Sequence, residues 1–184
     1  PEKFAKLEAD LIRIYSNREY AAKVVELTRL MGAVKSIGSG QKREWQVKRL
    51  DVALLGDNST ELAILDGQIL RDRNLNRNLA DKYRVIIKTD EPTWVYVFQM
   101  DSTGKIDVIF PNGDYCETLN PIPANASVRI PDGDLGFTLD TNRGIEKIYF
   151  IASREAIPEM DSLLNYFVKA TPHLPTPKDR KSVV

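Results

Sequence analysis

The chain contains one cysteine, Cys116, and one histidine, His173, in 184 residues. A lone cysteine excludes an internal disulfide and a multi-cysteine zinc site. A thiol–imidazole nucleophile would need both residues brought together, and His173 lies in TPHLPTP, a stretch too broken by proline to hold a base rigidly. Serine–histidine–aspartate chemistry would lean on the same histidine, and no Gly-x-Ser-x-Gly elbow is present. An excess of one charge is also missing. Lys+Arg 26 balance Asp+Glu 26, so no long-range field favours a polyanion or an anionic membrane. No run of about 18 apolar residues exists, which excludes a spanning helix. The chain starts at Pro1 with neither an initiator Met nor a basic-then-apolar leader, which reads as a fragment of a longer product and leaves the compartment open.

What is present is periodicity. Phe4, Leu7, Leu11 and Ile14 recur at steps of three and four, as do Tyr20, Val24, Leu27, Met31 and Val34. The two stripes are out of step across Ser16-Asn17, residues whose side chains cap a new helix, so a helical hairpin is expected over 1–40, with one long kinked helix as the alternative. Residues 41–80 read as a connector with a β-hairpin. LDVALLG alternates as a half-buried strand, and Asp66-Gly67 between two short apolar runs suits a tight turn.

From residue 83 the pattern changes. YRVIIKT, WVYVFQM, KIDVIFP, SVRIP, GFTL and IEKIYFIAS are short β-branched and aromatic runs divided by turn residues, which predicts antiparallel strands. WVYVF and IYFIA show no alternation, so both are expected as central strands covered on both faces. AIPEMDSLLNYFVKA reads as a terminal helix with Met160, Leu163, Leu164 and Phe167 on one side. The expected architecture is α+β: an N-terminal helical hairpin, then over 81–170 an antiparallel β-domain, sandwich-like, with a terminal helix. Residues 171–184 form a Pro-rich linker or tail.

KIDVIFPNGD marks the start of a long connection. Ile106, Val108 and Phe110 share a face, Pro111 has no amide hydrogen for a ladder, and Asn112-Gly113 is expected to redirect the backbone through the left-handed region. The connection over 111–126 exceeds a typical loop. With the 131–136 turn it is the expected contact surface, placed at one end of the sandwich. The binding residues chosen are Trp94 and Tyr115, aromatics near turns, with Asn112 and Asp114.

Other signals favour plain structural readings. GSGQK lacks the spacing and the hydroxyl of a phosphate loop. Asp101 and Asp107 around Gly104, and Asp132 and Asp134 around Gly133, lack the ligand set of a calcium loop. Lys42, Arg43, Lys48, Arg49, Arg71, Arg73 and Arg77 beside Trp45 read as a solvated face rather than a nucleic-acid surface. Asn58-Ser-Thr and Asn125-Ala-Ser match the glycosylation pattern, which arises often by chance. No catalytic residue, cofactor or metal is expected.

The order WVYVFQMDSTGKIDVIFPN, IPANASVRIP, GIEKIYFIASREAIPEMDSLL resembles the bacterial family called domain of unknown function 4384. Tyr96, Asp101, Gly104, Phe110, Pro111, Asn112, Pro131, Gly144, Glu146, Ala152, Ser153 and Pro158 carry the likeness, over roughly residues 83–164. The resemblance implies an accessory β-domain of the kind fused to Ser/Thr kinases, caspase-like peptidases and envelope lipoproteins. The function so implied is non-enzymatic binding of a protein or ligand, in the periplasm or cell envelope, with the cytoplasm as alternative. A structural module self-associating through residues 3–34 is the competing expectation.

Overall fold

The computed structural model describes residues 2–38, 47–55, 61–64, 69–70, 81–139 and 144–170. The chain begins with α1 (Glu2–Tyr15) and α2 (Arg18–Gly38). Between them Ser16 takes a left-handed conformation with φ of 51°, and the Tyr20 amide donates to Asn17 Oδ1 at 3.0 Å. That bond satisfies one of the orphan donors at the start of α2, so the out-of-step stripes mark a true break. The helices fold back on each other. The Tyr15 and Tyr20 rings meet edge-on at 5.1 Å near the turn, while the Arg29 guanidinium lies 5.1 Å from the Phe4 ring further along the pair.

Among the described residues eight strands follow: β1 (Val47–Leu55), β2 (Glu61–Ala63), β3 (Lys82–Thr89), β4 (Trp94–Met100), β5 (Ile106–Phe110), β6 (Ser127–Ile130), β7 (Phe137–Thr138) and β8 (Lys147–Ser153), then α3 (Pro158–Ala170). Every described pairing is antiparallel. One sheet has the order β2-β1-β3-β6, with β7 also on β3, and the other has the order β5-β4-β8. Each strand expected from residue 83 onward is present. Residues 47–55, expected within a connector, form β1, which pairs with β3 along its length and with β2 as a hairpin. The expected Asp66-Gly67 turn and the 171–184 tail lie outside the described residues.

The molecule is layered as helices, then the three-stranded sheet, then the larger sheet. Strand alternation assigns the two cores. Tyr96 and Phe98 of β4, with Ile106 and Val108 of β5, pack under Leu11, Tyr15, Tyr20, Val24, Leu27, Leu163 and Phe167. Val95 and Val97 point the other way, against Val85 and Ile87 of β3 and Val128 and Ile130 of β6. The unbroken apolar run of β4 is thus explained by a middle layer, buried on both sides. The side chains of β8 likewise enter both cores, but its expected central position is corrected: among the described strands β8 is an edge of the three-stranded sheet. Sequence showed that both faces are covered and carried no signal for lateral neighbours, because a covered edge strand and a covered central strand have the same hydrophobic pattern.

Candidate functional site

The break after Phe110 is made by side-chain chemistry rather than by a left-handed pair. Positive φ among the described residues occurs at Ser16, Asn125, Gly104 and Gly133, so the expected role of Asn112-Gly113 is corrected. Asn112 instead organises the turn with both ends of its carboxamide. Its Nδ2 donates to the Val108 carbonyl at 2.8 Å, its Oδ1 accepts from the Asp114 amide at 3.1 Å, and its own carbonyl accepts from Tyr115 and Cys116 at 3.1 Å each. Asn can mimic a backbone turn in this way, without leaving the ordinary φ region.

Beyond this turn the connection returns to the sheet that β5 has left. Asn120 accepts from the Val95 amide at 3.0 Å and donates to the Val95 carbonyl at 2.7 Å, taking the place of a neighbouring strand. Ile122 and Thr93 then exchange backbone bonds of 3.0 and 2.8 Å. Cys116 and Ile122 are buried in the core between the sheets. The 111–126 segment therefore runs along the flank of the sandwich and seals it, rather than projecting at one end as expected. Burying an Ile side chain stabilises a fold by about 1.5–3 kcal/mol, so its length serves closure first.

The outward side of this flank carries the candidate contact surface. Tyr115 is 37% exposed, Leu119 70% and Leu135 69%. The segments that bear them are tied together: the Asp132 amide donates to the Tyr115 carbonyl at 2.9 Å, and the Glu117 amide donates to Asp132 Oδ2 at 2.9 Å. Arg84, buried on β3, holds the turn by donating to the carbonyls of Gly133 at 3.1 Å and Leu135 at 2.8 Å. The Tyr115 ring meets Phe137 edge-on at 5.0 Å, and partial burial with Asp107 and Asp114 nearby raises its phenol pKa. Behind it, the Tyr83 hydroxyl donates to Gln99 Oε1, and Gln99 Nε2 donates to Glu146 Oε2 at 2.8 Å.

Three of the four residues chosen from sequence share this rim: Asn112, Asp114 and Tyr115. Trp94 does not join them. It sits half-buried on the helix-facing side of β4, paired with Ser153, at the opposite end of the strand from Gln99 and Asp107 beside which Tyr115 lies. Leu119 and Leu135 were missed. An exposed leucine inside a loop has no periodicity to reveal it; only its neighbours in space decide whether it is core.

Asp101 Oδ1 accepts from Thr103 N, Thr103 Oγ1 and Lys105 N at 2.8, 2.7 and 2.9 Å, so that oxygen organises the turn. The helical hairpin clamps the same turn: Tyr15 bonds Thr103 Oγ1 at 2.6 Å, and the Tyr20 hydroxyl accepts from the Ile106 amide at 2.7 Å. Among the described residues no group of three or more His, Cys, Asp or Glu side chains could hold a metal ion. Cys116 is buried, which pushes its thiol pKa up. His173, Lys42, Arg43, Trp45, Arg71, Arg73 and Arg77 lie outside the described residues.

No described helix is long and apolar enough to cross a membrane. No curated protein and no solved structure matches the chain. Residues 79–156, from just before β3 to just before α3, match the family model described as domain of unknown function (DUF4384), and this stretch of the chain is similar to that family.

Proposed function

We propose that this chain is a non-enzymatic accessory domain that binds a protein partner through the flank formed by residues 111–126 and 131–136. The observation that carries this reading is the pairing of exposed apolar side chains, Tyr115, Leu119 and Leu135, with a backbone fastened by the Asp132 and Arg84 bonds. A surface fixed before contact loses little conformational entropy on binding, and apolar anchors in a polar surround are the usual source of affinity. The buried thiol of Cys116 and the occupied oxygen of Asp101 support the non-enzymatic part of the proposal.

The resemblance to modules of envelope and signalling proteins supports a bacterial periplasmic or envelope setting within a larger protein. Self-association through residues 3–34 has less support, since Leu11, Val24 and Leu27 are buried in the protein's own core and Leu7 and Met31 pack against it. The test is a photoreactive phenylalanine analogue placed at Leu119 or Leu135 in cells making the parent protein. Each is expected to give a discrete adduct, while the exposed position Glu155 gives none. Absence of adducts from both leucines, or equal adducts from all three sites, overturns the proposal.

A further inference from the structure

We propose that the proline-rich basic segment 171–184 docks on the flank of its own chain at Tyr115 and Leu135, covering the surface that a partner would use. The proposal rests on the reading of that flank as a contact surface and adds what regulates it. Segments 111–126 and 131–136 hold four carboxylates, Asp114, Glu117, Asp132 and Asp134, and no lysine, arginine or histidine, although the charges of the whole chain balance. All four residues are exposed, and among the described residues none of them is in an ion pair. Asp132 accepts the Glu117 amide, which leaves Asp114, Glu117 and Asp134 as the carboxylates offered to an occupant. Apolar anchors in an acidic surround repel nucleic acid and anionic lipid and select a cationic segment.

The sequence after α3 supplies one. TPHLPTPKDRKSVV places Pro172, Pro175 and Pro177 before Lys178, Arg180 and Lys181, with Asp179 as its one acid. Prolines at this spacing suit recognition in an extended form that lays their rings on exposed aromatic side chains, and the cations that follow meet acids beside those rings. The flank offers both halves of that match. Tyr115, 37% exposed, stands edge-on to Phe137, with Asp114 beside it in the chain and Asp134 next to the exposed Leu135.

Reach makes the contact one within a single chain. Phe167, in the last turn of α3, meets the Tyr20 ring at 5.6 Å, and the Tyr20 hydroxyl accepts from the amide of Ile106, the first residue of β5. Tyr115 lies near Asp107, the next residue of that strand. Helix α3 therefore ends at the same end of β5 beside which Tyr115 stands. From Thr171 to Lys178 an extended proline-type chain spans about 25 Å, more than the roughly 10 Å from one packed layer to the next. A tether this short sets an effective concentration on the order of millimolar, so even a weak contact is occupied within one chain before a second copy competes.

The test places a photoreactive phenylalanine analogue at Leu135 of the purified full chain, with the exposed Glu155 as the control position. Irradiation is expected to join position 135 to a peptide from 171–184 while the mass stays at 20.8 kDa. Lys178→Glu, Arg180→Glu and Lys181→Glu together should lower that yield about tenfold, and they leave every described residue unchanged, so misfolding does not enter. Adding Asp114→Lys, Glu117→Lys and Asp134→Lys should restore it. In cells the same reversal of 178, 180 and 181 should raise the yield of partner adducts from position 135. The proposal is overturned by no adduct to 171–184, an equal adduct from position 155, an adduct at twice the mass, a yield indifferent to the reversal, or partner adducts unchanged by it. Partner adducts without the internal one would remove the docked segment and leave the flank standing, whereas the internal adduct without partner adducts would uphold the docking and remove the partner.

Discussion

Tyr20 ties the helical hairpin to the sheet. Its hydroxyl accepts from the Ile106 amide and donates to the Gly104 carbonyl at 3.4 Å, and its ring lies edge-on to Phe167 of α3 at 5.6 Å. Tyr20→Phe keeps the ring and removes both bonds of a buried hydroxyl, so a loss of about 1–3 kcal/mol in urea unfolding is expected. At Gly104 in the nearby turn φ is +83° and an added Cβ would meet Leu11 Cδ2 at 2.6 Å, so any larger residue there strains the backbone and displaces a core leucine. Burial also raises the Tyr20 and Tyr83 phenol pKa values well above the ordinary range. The folded state therefore holds these protons more tightly than the unfolded chain does. Its stability is intact below the unfolded tyrosine pKa of about 10 and falls as pH rises above it. An alkaline titration followed at the tyrosinate absorbance should show these two residues ionising only together with unfolding. A smooth, reversible titration with intact circular dichroism would contradict their burial.

At the scale of elements, the family-like positions act as fasteners. Tyr96 receives the Ile157 amide at 2.9 Å and so sets the start of α3, Asp101 and Gly104 shape the β4–β5 turn, and Asn112 shapes the exit from β5. The order of these residues was legible because each lies at a boundary between a run and a break. Their hydrogen-bond partners were not, since Asn120 finds Val95 and Tyr20 finds Ile106 across long stretches of chain. The hairpin break at Ser16-Asn17 was legible for the opposite reason: capping is local, and its partner lies three residues away.

The whole molecule depends on the middle sheet being covered twice. Deleting residues 2–38 would uncover Tyr96, Phe98, Ile106 and Val108, all buried under the hairpin and α3. Each such side chain contributes about 1.5–3 kcal/mol by burial, against a total stability of about 5–15 kcal/mol for a typical domain. The truncated chain is therefore expected to bind an apolar dye and to lose its cooperative thermal transition. A sharp transition without dye binding would show that the sandwich stands without its helices.

The sequence by itself determined the strands from residue 83 onward, the α+β class, the helical hairpin and the absence of a paired-cysteine framework. Those properties follow from periodicity and composition, which act over a few residues at a time. Only the tertiary structure decided that β8 is an edge, that the 111–126 segment seals a flank, and that Trp94 faces away from Tyr115. Lateral order and loop course arise from backbone pairing between segments distant in the chain, and backbone groups are the same at almost every residue, so no side-chain pattern records them.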